Sequence, residues 1–522
     1  GSAGDPRVGA DVMHLSALDP DGGTAEQSRW RLSALERNQL LAALLTASLL
    51  VLPIALHVPL YQDDFERAVN GMYYWSGDGR PLAEFIARLL ALGSPQLALT
   101  SPLGTLLCVP GMALTAMLLC RLLEHRRSWG AVLATVLLFG SPYFIENLSF
   151  SFDGPLMVLA VFFAVSAADL VVEGRDSGSL ILGIGLTVCS LALYQAANPG
   201  LWIPVLWLVL FPPRGRPPSL GRLLQRLVSC ELVALLVYRL LVVPSSGMLK
   251  YALKHGRTPA LLDLPTTVIT NLRMFVAHLL DDWVGTAGGT LLGLFLVIGL
   301  LISALEVSDS GSAARRPLLF LWRAVAGLLL LLVSYGLTLI LLKPVMDPRA
   351  FIGVGVVLAC LGLSATREVN AAALLGRGWR ALRAWLSLGI TASVAWLCVA
   401  VLFAYTSAYA QQQQFNDEIL AAIAMDVHER IDQPIRDLAI EGRAPLAPAA
   451  ANTLRSFPVL KHYGQVAPLH VFWPNLRFMT YGFQALGRDG ADSLTSPRPV
   501  VSTSLYDLAV DQSTLLIRFR SK

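Results

Sequence analysis

The chain has 522 residues, of which 55% are hydrophobic and only 15% are charged. Soluble globular proteins carry about 25% charged residues, so this composition excludes a protein that mostly faces water. The formal net charge of +4 is too small to indicate a nucleic-acid partner.

Long apolar runs recur along the chain, each close to the ~20 residues needed to cross a lipid bilayer. We interpret the run from about residue 38 to 60 as a retained helix and the opening GSAGDP as a tag remnant. The prediction is an all-α polytopic membrane protein with about eleven transmembrane helices. The predicted helices cover residues 39–60, 102–120, 129–145, 155–172, 179–195, 199–211, 225–243, 290–305, 318–342, 349–365 and 384–408.

Arginines gather at alternate ends of these helices, for example Arg121, Arg126 and Arg127 after the second one. Because cytoplasmic loops are enriched in Lys and Arg, the arginine-bearing side is predicted to be cytoplasmic. Residues 1–37 then form a cytoplasmic segment and 38–409 a transmembrane domain. The odd helix count sends residues 410–522 to the extracytoplasmic side, where "STLLIRFR" and "LHVFW" suit strands of a small α+β domain.

The extracytoplasmic loops carry the unusual residues, and the first of these loops is the strongest signal. Asp63 and Asp64 follow the first helix directly, with Arg67 one helical turn later, and Trp75 and Arg80 further on. A carboxylate there suits a general base that takes a proton from a hydroxyl, and arginines suit an anionic phosphate leaving group. The alternative is an ordinary solvated loop.

Weaker candidates lie in the other loops on this side. A substrate-binding role is weighed against an ordinary loop or turn for Glu146 and Asp153, and for Tyr194 and Gln195 in LYQAANPG. Lys343 and Arg349 break the positive-inside pattern. They would suit the binding of an anionic lipid head group. The alternative is that their side chains snorkel to ordinary phospholipid.

Two further features complete the extracytoplasmic side. A short amphipathic helix is predicted within residues 76–93, with Asp78 and Gly79 at its N-cap, and would lie along the membrane surface. Asp281 and Asp282 are interpreted as a solvated helix end. No metal-spaced cluster of His and Cys stands out, so no metal site is predicted.

The segment YQDDFERAVNGMYYWSGDGRPLAEFIARLLALGS resembles the signature region of the serotype-converting O-antigen glucosyltransferases of Gtr type II. A DD-x-x-R motif after the first helix and a W-x-x-x-GR-PL segment carry the likeness. Three other stretches are similar to that family, namely SPYFIENLSFSFDGP, LALYQAANPG and DPRAFIGVGV, as is the tail from Phe457 to Gly487.

The resemblance implies a GT-C type membrane glycosyltransferase in the bacterial inner membrane, with its active site facing the periplasm. It implies transfer of a hexose, expected to be glucose, from a polyprenyl-phosphate donor to an O-antigen or other surface polysaccharide. Asp63 is expected to act as the base of an inverting single displacement, with Asp64 orienting either Asp63 or the acceptor. The phosphate would meet Arg80, Arg349 or Lys343, so neither a cofactor nor a metal is expected.

The main rival is a transporter or flippase for a lipid-linked sugar. Such a protein would place charged or broken helices at the bilayer midplane. Here the polar residues gather at one membrane face, which favours chemistry there.

Overall fold

A computed structural model describes residues 32–213, 219–247, 256–308, 316–464, 477, 486–488 and 497–520. The protein is mostly helical, with several apolar helices and a small C-terminal sheet. Nearly all of the predicted cytoplasmic segment 1–37, including the opening GSAGDP, lies outside the described residues, as does the predicted strand LHVFW.

Apolar helices make up the main body of the described chain. Six are long and apolar enough to cross a membrane: Ala34–His57, Leu103–Leu122, Gly154–Glu173, Leu220–Ser245, Ala287–Leu305 and Trp379–Arg430. Five shorter ones are Ser128–Phe139, Ser177–Leu193, Gln195–Leu210, Pro317–Leu332 and Ile352–Thr366. Each falls on one of the eleven predicted spans, so the membrane character is supported, whereas the number of helices that cross the bilayer stays a prediction.

The helix Ile352–Thr366 lies at the centre of this body, and every one of its residues is buried. A Cβ at Gly353 would lie 2.0 Å from the Ser334 carbonyl oxygen, so only glycine permits this close approach. The helix begins directly after the turn Pro348–Ala350. Its packing therefore fixes the position of Arg349.

The predicted helix 318–342 is too long. The observed helix ends at Leu332, and Gly336 follows with φ of +66°, a conformation that only glycine adopts readily. The chain then forms the 3₁₀ turn Gly336–Ile340 and irregular backbone up to residue 347. Apolar composition continues past the true end of the helix, which is why hydropathy alone extended it.

The predicted surface helix is present as Pro81–Leu90. Its N-cap is Arg80 rather than Asp78 or Gly79, because residues 76–78 form a separate 3₁₀ turn. Phe85 and Leu89 are exposed on one face, while Ala83 and Ala87 are buried. Such an apolar outer face suits the membrane surface.

The remaining helices are shorter or connect the apolar ones. They are Asp63–Asn70, Ile145–Ser149, Leu264–Trp283, Ala371–Leu374 and Pro448–Ser456, with the 3₁₀ turns Gln195–Ala197 and Pro458–His462. Within the fourth long helix, Leu220–Val237 passes through a π-helical turn, Tyr238–Val242, into Val243–Ser245. Within the second, Leu103–Leu106 precedes Cys108–Leu122.

A five-stranded sheet forms the C-terminal unit beside the long helix Trp379–Arg430. Its strands are β1 (Asp437–Glu441), β2 (Leu486–Arg488), β3 (Arg498–Ser502), β4 (Tyr506–Asp511) and β5 (Thr514–Phe519). The order is β2-β1-β5-β4-β3, with β1 parallel to both neighbours and the others antiparallel. Leu420 and Ile423 of the helix pack against Leu438 and Ile517 of the sheet.

This unit confirms the predicted small C-terminal α+β structure, and β5 is the predicted strand STLLIRFR. The predicted boundary between residues 409 and 410 falls inside the long helix, which is continuous through it. At about 1.5 Å per residue, its 52 residues span more than the thickness of a bilayer.

Candidate active site around Asp63

The first helix ends at His57, and the chain turns sharply before the short helix Asp63–Asn70 begins. Pro59 interrupts helical hydrogen bonding, and Gln62 adopts a positive φ of 42°. Asp63 and Asp64 occupy the first turn of the new helix, where a carboxylate is favoured by the helix dipole. The two neighbours face different surroundings.

Asp64 is fully buried, with 0% of its surface exposed. Its carboxylate accepts hydrogen bonds from the backbone N–H groups of Tyr61 (3.3 Å), Ser151 (2.7 Å) and Phe152 (3.4 Å). Burial, with the nearby Asp153 charge, raises the pKa of Asp64 to about 8. Asp64 therefore joins two loops and presents no surface to a substrate.

Asp63 is the more open of the two, with 39% of its side chain exposed. Its Oδ2 lies 3.8 Å from the Nη1 of Arg349, and we call these two residues the Asp63 pair. Partial burial raises the pKa of Asp63 above its ordinary value, although Arg349 and Arg67 oppose the shift. This carboxylate accepts no hydrogen bond from the described residues, and it is open to solvent.

Arg349 is held in place mainly by its backbone. Its N–H donates to Glu146 Oε2 (2.8 Å), and its carbonyl accepts from Tyr194 Oη (3.1 Å) and Asn147 Nδ2 (3.2 Å). The guanidinium is left to pair with Asp63 and, at 3.2 Å, with Asp347. A positive charge is thus fixed next to Asp63 with part of its surface open.

Glu146 positions the Arg349 backbone by accepting its N–H. It is buried and also accepts a hydrogen bond from the Tyr61 hydroxyl at 3.2 Å. Burial raises the pKa of Glu146 to about 7, against the pull of Arg349. Its contacts are to protein groups, so it positions the Arg349 turn.

A second set of predicted residues forms what we call the Asp153 cluster: Arg67, Trp75, Arg80 and Asp153. The Asp153 carboxylate accepts from Arg67, from the Trp75 indole (2.7 Å) and from Arg80 (3.0 Å). The Arg67 guanidinium also lies over the Trp75 ring at 4.4 Å. Burial would raise the pKa of Asp153, but the two arginines hold it below its ordinary value.

Tyr194 connects the two sets, because its hydroxyl bonds to Arg349 while Arg80 lies 5.6 Å from its ring centroid. Gln195 lies apart from Asp63: its amide donates to Tyr238 Oη at 2.7 Å and approaches the carbonyls of residues 78 and 79. Lys343 is exposed and makes no ion pair within the described part of the chain. Six predicted residues thus form the Asp63 pair and the Asp153 cluster, and Asp64, Glu146 and Tyr194 contact them. Gln195 and Lys343 lie at the margin.

Tyr61 was not predicted as a member of the site, and Asp347 was noted among the loop charges but not among the substrate-binding residues. Asp347 had a detectable signal, since it stands two residues before Arg349 in a loop with few other charges. Tyr61 had none beyond its place beside the acidic pair. The solvated interpretation of Asp282 was wrong, because Asp282 is 0% exposed, whereas the side chain of Asp281 is well exposed.

The arrangement around Asp63 combines a proton acceptor with a fixed cation at one edge of an apolar body. Such a combination can deprotonate a hydroxyl and stabilise a departing anion. Within the described ranges, one group of three His, Cys or acidic side chains has metal-like spacing. It lies elsewhere, at His278, Asp282 and His462.

Comparison with known proteins adds two findings. Residues 52–360, more than half of the chain, match the family described as Glucosyl transferase GtrII. A relative from Salmonella phage P22, named "Uncharacterized 55.3 kDa protein in gtrB 5'region", is 32% identical over 145 residues. That alignment spans 28% of this chain and 30% of the relative. No solved structure matches the chain.

Proposed function

The chain belongs to the GtrII glucosyl transferase family, and from this premise we propose that it moves a hexosyl group, expected to be glucosyl, from a polyprenyl-phosphate donor to a hydroxyl of a surface polysaccharide. Membership of the family supports glycosyl transfer. The name of the phage relative, which places it beside gtrB, is in keeping with an O-antigen acceptor. The donor class and the acceptor are parts of the proposal.

The proposed step is a single displacement. The acceptor oxygen attacks the anomeric carbon and forms the new glycosidic bond while the bond from that carbon to the phosphate oxygen breaks. The acceptor proton passes to Asp63, and the polyprenyl phosphate leaves with the bonding electron pair. Arg349 stabilises the negative charge on the departing phosphate, and the configuration at the anomeric carbon inverts.

One observation carries this assignment: Asp63 is part-exposed beside the Arg349 guanidinium, while its neighbour Asp64 is buried under three backbone N–H groups. A general base must reach the proton that it removes. Asp63 meets that condition, and Asp64 has no free approach. In the proposal Asp64 therefore holds the loop that presents Asp63.

The membrane setting of the proposal follows from the chain's own pattern. Arginines at alternate helix ends favour an inner-membrane orientation in which Asp63 faces the periplasm. The exposed apolar face of Pro81–Leu90 would rest on that surface of the bilayer. A polyprenyl tail would lie between helices, with its phosphate at the level of Arg349.

A transfer assay in detergent tests the proposal. Purified protein is supplied with polyprenyl-phosphate [¹⁴C]glucose and O-antigen polysaccharide, and label in the polysaccharide is counted. We expect wild type to transfer label and Asp63→Asn to transfer it at least ~10²-fold more slowly. Glu66→Gln is the matched control, because Glu66 lies on the same short helix without a described ion pair, and it should transfer normally.

Two results would contradict the proposal. Equal transfer by Asp63→Asn and wild type would remove Asp63 from the chemistry. Failure of wild type to transfer in detergent, together with movement of the lipid-linked sugar across sealed liposomes, would instead identify a flippase. An enzyme needs no sealed membrane, whereas a flippase cannot be observed without one.

A further inference from the structure

Three potential metal ligands meet at a place far from Asp63 in the sequence. His278 and Asp282 lie one helical turn apart on the helix Leu264–Trp283, and His462 ends the 3₁₀ turn Pro458–His462. One donor atom from each lies within 4.8 Å of the other two. The Nε2 of His462 is 3.0 Å from Asp282 Oδ1, and the Nε2 of His278 is 3.8 Å from Asp282 Oδ2.

These donor atoms are buried without hydrogen-bond partners. The Nε2 of His278, the Oδ1 of Asp282 and the Nε2 of His462 all lack a hydrogen bond in the described structure. An unsatisfied buried polar atom costs about 1–3 kcal/mol. Of the three atoms, His462 Nε2 and Asp282 Oδ1 lie close enough to form an ion pair, at 3.0 Å. An ion pair between His462 and Asp282 would leave the His278 nitrogen unsatisfied, whereas one cation can accept a lone pair from each residue.

The carboxylate is also oriented by an outer layer of hydrogen bonds. Asp282 Oδ2 accepts from the Tyr143 hydroxyl at 2.6 Å, and that hydroxyl accepts from the Trp283 indole at 2.9 Å. Metal-binding carboxylates are commonly held in this manner, because such bonds fix the direction of the lone pairs. The remaining oxygen, Oδ1, is the one that faces His462.

From this geometry we propose that His278, Asp282 and His462 bind one divalent transition-metal ion, with Zn²⁺ as the best fit. Two imidazoles and a carboxylate suit Zn²⁺ and disfavour Mg²⁺ and Ca²⁺, which prefer oxygen ligands alone. Ligands at ~2.0–2.1 Å from a tetrahedral zinc lie ~3.4 Å from one another. Here His462 Nε2 lies 3.0 Å from Asp282 Oδ1, and one donor atom of each residue lies within 4.8 Å of the other two. Water would complete the coordination.

The ion would fasten the chain after the C-terminal helix Pro448–Ser456 onto the helix Leu264–Trp283. The next residue, Tyr463, is fully buried with its ring centroid 5.2 Å from that of Tyr405. A Cβ on Gly464 would lie 3.2 Å from Gln62 Nε2 and 3.8 Å from Tyr61 Oη. The metal would thus hold this segment against the turn that leads into Asp63.

Metal analysis of the full-length protein in detergent tests the site. After stripping with a chelator, the protein is reloaded with Zn²⁺, desalted and measured by inductively coupled plasma mass spectrometry. We expect about one zinc per chain in wild type and at least a tenfold loss in His278→Ala and in His462→Ala. The matched control is His428→Ala, which removes an exposed histidine from the long helix and should retain the ion.

Thermal unfolding of the wild-type protein gives a second readout. It uses no variant, so misfolding of a variant cannot affect the result. Chelation should lower the Tm by about 3 °C or more, and Zn²⁺, but not Mg²⁺ or Ca²⁺, should restore it. Less than a tenth of an ion per reloaded chain would overturn the proposal. So would full zinc retention in folded His278→Ala and His462→Ala, or a Tm that chelation leaves unchanged.

Discussion

The Asp63 pair and the Asp153 cluster use the same chemical groups, a carboxylate beside arginine, in opposite ways. In the cluster, Asp153 is buried and both of its oxygens accept hydrogen bonds, from two arginines and a tryptophan. In the pair, Asp63 faces Arg349 across 3.8 Å, and both side chains keep open surface. A carboxylate that is buried and paired with two arginines stabilises the fold. A carboxylate that is partly exposed beside one arginine can still contact a substrate. Sequence motifs alone cannot show this difference.

The largest expected effect comes from breaking the Asp153 cluster. Asp153→Asn leaves two arginines facing a neutral amide in a buried place, so we expect a loss of about 3–5 kcal/mol in the free energy of unfolding. The measurement is the Tm and the yield of monodisperse protein in detergent. A Tm equal to that of wild type would mean that the cluster does not hold the fold.

The next effect concerns Glu146 and is seen as a pH dependence of stability. Because folding raises the pKa of Glu146 from 4.5 to about 7, the folded state keeps a proton that the unfolded chain releases. The stabilisation of the folded state by Glu146 is therefore complete below about pH 4.5, and it is lost as the pH rises through 7. This pKa shift corresponds to on the order of 3 kcal/mol in the free energy of unfolding.

Glu146→Gln checks this prediction, because glutamine cannot lose a proton and can still bond to Tyr61 and to the Arg349 backbone. The fall in Tm between pH 5 and pH 8 should be smaller in the variant than in wild type. Part of the fall should remain, since the pKa of Asp64 is raised in the same direction. Identical pH profiles would show that Glu146 is not protonated in the folded protein.

A matched pair of conservative variants separates the two sets directly. Arg349→Lys keeps the backbone contacts but loses the planar guanidinium, so transfer should fall ~10-fold with little change in Tm. Arg67→Lys should lower the Tm, because it disturbs the buried ion pair with Asp153. If the two variants behaved alike in both measurements, the division between the pair and the cluster would be wrong.

The smallest effect is expected at Lys343. Its side chain is exposed and unpaired within the described residues, so Lys343→Ala should change the KM for the lipid-linked donor by less than about threefold. Donor titrations in mixed micelles measure this. A loss of tenfold or more would place the donor phosphate at Lys343.

Most of the helices could be predicted from sequence, because an apolar run of sufficient length has few alternatives to crossing the bilayer. Boundaries failed where apolar composition outlasted the helix, as between Leu332 and Leu342. Asp63, Asp64 and the nearby arginines were singled out from sequence as a candidate site, since charges next to a membrane span are conspicuous.

The sequence could not show which of Asp63 and Asp64 is exposed to solvent, because adjacent residues share the same neighbouring sequence. The answer depends on the loop at Ser151, 87 positions away, which supplies the backbone donors that cover Asp64. The same applies to His462 and Asp282, which approach each other only through the tertiary fold. Long-range contacts of this kind leave no local pattern.

The most direct test of the central claim, that Asp63 and Asp64 have different roles, measures transfer and Tm on the same preparations of Asp63→Asn and Asp64→Asn. We expect Asp63→Asn to keep a wild-type Tm and to lose at least ~10²-fold in transfer. Asp64→Asn should lose about 1–3 kcal/mol of stability, because an amide nitrogen cannot accept backbone hydrogen bonds, while its folded fraction still transfers. A folded, inactive Asp64→Asn beside an active Asp63→Asn would contradict these roles.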